Sequence, residues 1–179
     1  MLTIVIPSKE YFDSEKSEFA YSKETTLQLE HSLLSLSKWE AKWNEPFLSV
    51  KDKSNEQILD YVRCMTLNQN VGKDVYYRLT KENIEQINEY INLPMTATTF
   101  KDTNGPKNRD IVTAEIIYYW MISLNIPWEC QKWHLNRLLT LVKVCSIKNS
   151  PSKKMSKREI MARNRSLNAA RKKAMGTTG

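Results

Sequence analysis

Apolar residues recur along this chain with two periods, and the change between them outlines its architecture. Near the start, Thr3 to Ile6 is rich in β-branched residues, while Glu18 to Tyr21 alternates with Phe19 and Tyr21 on one side. Both stretches favour extended backbone, and together they predict an antiparallel ribbon. Two strands alone are marginal in water, so the ribbon must lean on helices or on another subunit. From about Thr25 the spacing turns helical. Leu29, Leu33, Leu36 and Trp43 form one stripe with Leu27 and Leu34 beside it, which predicts a helix over 25–43, closed by Asn44 to Pro46.

Local start and stop signals divide the rest of the chain. Ser54 with Gln57 three residues later is a capping box, opening a helix that carries Ile58, Leu59, Val62 and Met65 and ends before Asn68 to Gly72. Asp74 to Arg78 reads as a short turn. Thr80 then caps a helix with Ile84, Ile87 and Ile91 on its inner face, terminated at Pro94. Met95 to Phe100, with three threonines, suits an extended conformation, and Lys101 to Asn108 reads as an exposed turn. The stretch from Asp110 to Leu124 is apolar on most sides and predicts the central buried helix. After Asn125 and Ile126, Pro127 sits at the favoured first position of another helix over 127–146, with Leu135, Leu138, Leu139 and Val142 inward. Asn149 to Lys154 has linker composition. A second capping box, Ser156 with Glu159, opens a last helix whose Met155 and Ile160 fit a hydrophobic staple. The expected fold is therefore mainly α: a helical domain of five to six helices with an N-terminal β-hairpin over 1–146, a linker over 147–154, and a basic C-terminal helical arm over 155–179.

Composition changes this picture in one respect. Hydrophobic and charged residues make up 41% and 26% of the chain, ordinary values for a globular domain. The charge, however, is partitioned. Of 27 basic and 20 acidic residues, ten Lys or Arg and one acid lie from Ile147 onward, so the arm has a net charge of +9 and residues 1–146 a net of −2. Such an arm meets an anionic or polar partner, or stays solvated. The apolar run within Met1 to Pro7 lacks a preceding basic stretch and a cleavage signature, so it does not read as a signal peptide. Ile116 to Leu124 is far shorter than the roughly 20 residues that span a bilayer. Three widely spaced cysteines, Cys64, Cys130 and Cys145, read as reduced thiols.

Candidate chemistry is sparse. The chain has two histidines and four glycines, with no phosphate loop, dinucleotide fingerprint or nucleophile elbow, so neither catalysis nor a cofactor is expected. Cys130 and His134 have the spacing of two metal ligands on one helical face, but no second close pair completes a shell, and a buried thiol beside a hydrogen-bonded imidazole accounts for them without a metal. An enzyme site would have to assemble Glu30, His31, Cys130 and His134.

Binding is better supported. Trp39 with Trp43, and Trp128 with Trp133, either anchor a core, the commoner role of such clusters, or form an interface; the segment Trp39 to Phe47, with mixed charges between its aromatics and Pro46 near its end, is the better candidate for a partly exposed recognition surface. In the arm, Met155, Ile160, Leu167 and Ala174 offer apolar anchors, and Arg163, Asn164, Asn168 and Arg171 polar groups that would fix register in a protein groove. Nucleic acid is the competing partner, through Lys and Arg on phosphates, although the arm lacks aromatic residues for stacking. The ribbon edge and the narrow arm stripe also invite a homo-oligomer.

The stretches LEHSLLSLSKWEAKW (29–43), NLPMTATTF (92–100), AEIIYYWMISLNIPWECQKWHLNRLLTLVKVC (114–145) and KKMSKREIMARNRSLNAARKKAMGTTG (153–179) resemble, nearly end to end, a group of proteins of tailed bacteriophages of Gram-positive hosts. The group is similar to tail-module proteins of the kind called tail assembly chaperones. That resemblance implies a non-enzymatic protein made in the host bacterial cytoplasm, with a place in the virion left open. It would coat the tape-measure protein while the tail tube protein polymerises around it. A structural tail or neck component and a nucleic-acid-binding phage protein are the other readings.

Overall fold

The structure is a computed structural model that describes residues 1–13, 18–100, 111–150 and 156–176. It is mainly helical with an N-terminal antiparallel hairpin, and the chain divides into two compact units, residues 1–146 and 147–179.

The hairpin is longer than the sequence suggests. Strand β1 (Leu2–Ile6) pairs with β4 (Thr25–Leu29), and β2 (Lys9–Asp13) with β3 (Glu18–Ser22). Leu2 faces Leu29 and Lys9 faces Ser22, so one register runs through both ladders as a single ribbon interrupted at Pro7, which has no N–H to donate. The expected pairing of Thr3–Ile6 with Glu18–Tyr21 is therefore corrected. The Arg78 guanidinium holds the interruption, donating to Ser22 Oγ at 2.7 Å, Lys23 O at 3.3 Å and Pro7 O at 3.4 Å. Ile4, Ile6, Leu27 and Leu29 alternate inward and are buried.

Thr25–Leu29, expected as the first turns of a helix, is β4. Helix α1 (Leu33–Trp43) begins only at Ser32, whose hydroxyl accepts from the Ser35 N–H. The edge of β4 is closed by the chain after α2 (Asn55–Met65): Glu30 N–H donates to Met65 O, Leu67 N–H to Gln28 O, and Gln28 N–H to Asn68 Oδ1. Helix α2 opens with the Ser54–Gln57 capping box. A short α3 (Lys73–Tyr76) occupies the expected turn, and α4 (Lys81–Asn92) starts at a Thr80–Asn83 box. Asn83 also donates to Val5 O on β1. Met95 to Phe100 forms no strand; Met95 sits at φ 49°. The expected turn over Lys101 to Asn108 lies outside the described residues.

Helix α5 (Ala114–Ser123) corrects a second expectation. It buries Ala114, Ile117 and Met121 on one side, while Tyr119 and Ile122 remain 66% and 62% exposed, so it is a flanking helix and not the central one. The most deeply embedded helix is α1. Its Trp39 enters a cluster with the ribbon, α2, α3 and α4, and its Leu33 and Leu36 enter another with α5 and α6 (Leu135–Asn149).

The single helix expected over 127–146 is broken. Trp128–Lys132 is a 3₁₀ turn, and Trp133 is extended at ψ 162°. The following Leu135 N–H donates to His31 O at 2.7 Å, so pairing with the chain before α1 has displaced a turn of helix. Helix α6 continues to Asn149, which makes the first residues of the expected linker helical. In the second unit, α7 (Lys157–Met175) has the Ser156–Glu159 capping box at its start and Gly176 in the left-handed conformation at its end.

Candidate functional site

Helix α7 carries most of the residues singled out in the sequence. Its ends are fully specified: Glu159 N–H donates to Ser156 Oγ at 3.2 Å, Ser156 N–H donates to Glu159 Oε2 at 2.8 Å, and Gly176 N–H closes on Lys172 O. Lys172 and Lys173 lie in the last turn, where the helix dipole favours cations. No residue of α7 is buried. Ile160 and Leu167 are each 45% exposed, and the turn angle of about 100° per residue places Ala174, Arg163, Asn164 and Arg171 on that same face. Asn168 lies at its margin. Met155, the outer half of the expected staple, is outside the described residues. The helix thus presents a narrow apolar line bordered by guanidinium groups. A lone helix with so little apolar face gains order by docking.

The aromatic segment Trp39–Phe47 is built differently from the expectation. Trp39 is fully buried and its indole N–H donates to Gln57 O at 2.9 Å. Trp43 donates to Asp60 Oδ2 at 3.1 Å, and Asp60 also accepts from Lys42 Nζ at 2.5 Å. Phe47 stacks on buried Tyr61 with ring centroids 3.8 Å apart. These contacts join α1 to α2, so the recognition surface is corrected at Trp39, a core residue, and Trp43 and Phe47 are half-buried and engaged in the same junction. Helical spacing of aromatics cannot by itself separate a core junction from an exposed face.

The fold does assemble part of the enzyme constellation considered from the sequence. The His31 and His134 rings meet edge to face with centroids 5.1 Å apart, and both residues are buried. His31 Nδ1 lies 2.6 Å from Tyr61 Oη. His134 Nε2–H donates to Tyr90 O at 3.0 Å, and His134 Nδ1 accepts from Asn136 N–H at 3.3 Å, which fixes its neutral tautomer. Tyr90 Oη donates to Glu30 Oε1 at 2.7 Å, and Glu30 Oε2 pairs with the Met1 amino group at 2.9 Å. Burial pushes the His31 imidazole down to about 4, helped by the neighbouring His134, and burial also lowers His134. Cys130 packs instead in the cluster around α5 and α6, where burial first and Glu129 second raise its thiol. The two histidines therefore join the ribbon end, α2, α4 and the start of α6 through directed hydrogen bonds. Both nitrogens of His134 are committed to backbone, which leaves it no lone pair for proton transfer to a substrate.

Two features escaped the sequence reading. One is Glu40, buried in α1, whose Oε1 accepts from Phe47 N–H at 2.9 Å and whose Oε2 accepts from Ala114 N–H at 2.7 Å. It supplies the N-terminal acceptor for α5 that Thr113 does not. Burial raises its carboxyl, while those two N–H groups pull it back down. The other is the outer side of α5, where Tyr119 and Ile122 are exposed; Trp128 after the helix is 53% exposed and rests against Tyr118 with ring centroids 5.6 Å apart. A uniformly apolar run of helix length was the available signal, and it was consistent with burial on all sides.

Among the described residues no group of three or more His, Cys, Asp or Glu could hold a metal ion, and no helix is long and apolar enough to cross a membrane. No protein-family model, curated protein or solved structure matches the chain.

Proposed function

We propose that this is a non-enzymatic binding protein of bacteriophage morphogenesis, a tail assembly chaperone that holds the tape-measure protein, the tail tube protein or both in the host cytoplasm. The observation that carries the binding role is α7: a helix with encoded start and stop signals that leaves its apolar line uncovered. Capping contributes about 1 kcal/mol at each end, which serves a helix that must form in one register against a partner. A solvated electrostatic tail needs no such ends. Ile160 and Leu167 are the anchors, and Arg163, Asn164, Asn168 and Arg171 set register and partner charge. The phage setting rests on the sequence resemblance, and a structural tail or neck component would use the same arm.

Purified full-length protein, immobilised and challenged with the phage's tape-measure and tube proteins, tests this. Ile160→Glu with Leu167→Glu should weaken capture at least about thirtyfold, the loss typical of central apolar anchors. Undiminished capture by the double variant would remove the arm from the binding role.

A nucleic-acid reading keeps one observation in its favour, the net +9 of residues 147–179. It requires affinity for duplex or single strands that falls steeply as salt rises. The glutamate substitutions above would weaken that binding as well, by adding two negative charges to the arm; Ile160→Ser with Leu167→Ser keeps the arm's charge and would leave nucleic-acid binding intact while weakening protein capture.

A further inference from the structure

The outer face of α5 has no place in the binding role assigned to α7. Tyr119 and Ile122 are exposed there, and Trp128 extends the surface through its contact with Tyr118. Exposed aromatic and aliphatic groups on neighbouring turns are candidates for an interaction site. On α5 itself the charge is one-sided: Glu115, which is exposed, is its single charged residue, while beside Trp128 the exposed Glu129 shares its turn with Lys132. On α5, Glu115, Tyr119 and Ile122 follow one another at i, i+4 and i+7, so the acid and the apolar groups share one helical face.

Helix α7 has the complementary character. It carries seven Lys or Arg and one acid, and its anchors Ile160 and Leu167 are about 10 Å apart along the axis, within the roughly 15 Å length of α5. Arginine beside its apolar line could stack on Tyr119 or Trp128. The same chain already makes such a contact, with the Arg137 guanidinium 4.2 Å from the Trp133 ring centre.

We propose that the α5 face of one molecule docks the α7 helix of a second copy, so that the protein self-associates through arm exchange. Ile160 and Leu167 cover Ile122 and the aromatic rings, and the arm's guanidinium groups face Glu115 and Glu129. This does not depend on the phage reading, and its acceptor residues lie outside the arm, so the two can fail separately.

Sedimentation of the full-length protein across concentration provides the test. Wild type should form a concentration-dependent oligomer that weakens as salt is raised from about 0.05 to 0.5 M, where screening shortens from roughly 14 to 4 Å. Trp128→Ala should weaken association about thirtyfold, and Glu115→Lys with Glu129→Lys about tenfold. These side chains are exposed, so melting temperature should hold in each variant. Leu167→Glu should abolish association from the donor side. An equimolar mixture of Leu167→Glu and Trp128→Ala protein should associate more strongly than either variant alone, because the first keeps its acceptor face and the second its arm. A wild-type monomer at every concentration, arm capture within one molecule, or an oligomer indifferent to Trp128 and Leu167 would overturn the proposal. So would association that nuclease treatment removes, which would give the arm to nucleic acid.

Discussion

His31 illustrates how one residue ties the body together. Its imidazole is buried beside Tyr61 and His134, with Glu30 and Tyr90 completing the ionisable surroundings. Protonation there would bury a charge, which is why burial holds the group down to about 4. The unfolded chain binds its proton near 6.5. Stability from this group is therefore complete above that value and is lost as pH falls toward the folded value, because the unfolded state then holds more protons. For His31 alone the loss between pH 7.5 and 5 is about 2 kcal/mol. Urea unfolding at both pH values should show His31→Gln losing less stability on acidification than wild type by about that amount. Equal losses would mean the imidazole is hydrated and not desolvated.

At the level of elements, α1 connects everything, and Glu40 shows how. A carboxylate accepting Phe47 N–H and Ala114 N–H ties the turn after α1 to the first turn of α5. Glu40→Ala leaves two buried donors without partners, and its cost should be about 3 kcal/mol. Glu40→Gln should recover part of that, since its carbonyl can serve one donor while its amide opposes the other. Chemical denaturation of the three proteins would rank them, and an Ala variant as stable as wild type would show that water replaces the carboxylate. Much of this architecture was legible in local chemistry: Ser54–Gln57, Thr80 and Ser156–Glu159 each announce a helix start and each begins one. What escaped depends on distant partners. Leu27 and Leu29 satisfy a strand's alternation and also sit beside the stripe of Leu33 and Leu36, so only pairing with Ile4 and Leu2 decides for a strand. Likewise the bond from Leu135 N–H to His31 O breaks a helix that spacing alone would continue. Trp39 and Tyr119 exchange their expected environments for one reason: apolarity says what a residue can cover, not which side of its helix finds a neighbour.

The whole molecule separates two kinds of stability. Residues 1–146 hold both apolar clusters and the buried hydrogen-bond network, whereas α7 has its caps and intrahelical bonds with no buried side chain. A domain's cooperative transition follows the apolar area it buries and the polar groups it satisfies there. Deleting Pro151–Gly179 should therefore move the thermal midpoint by less than about 2 °C, since a change of 1 kcal/mol shifts a domain of 150–250 residues by roughly 2–4 °C. The far-ultraviolet signal should fall by up to the share of α7, and by less if the arm frays in isolation. The truncated protein should also lose both partner capture and self-association. A midpoint drop beyond about 5 °C, measured at concentrations where the full-length protein is monomeric, would mean that the arm contributes to its own core. Its exposed line would then be a packing surface, with no anchor left to offer another chain.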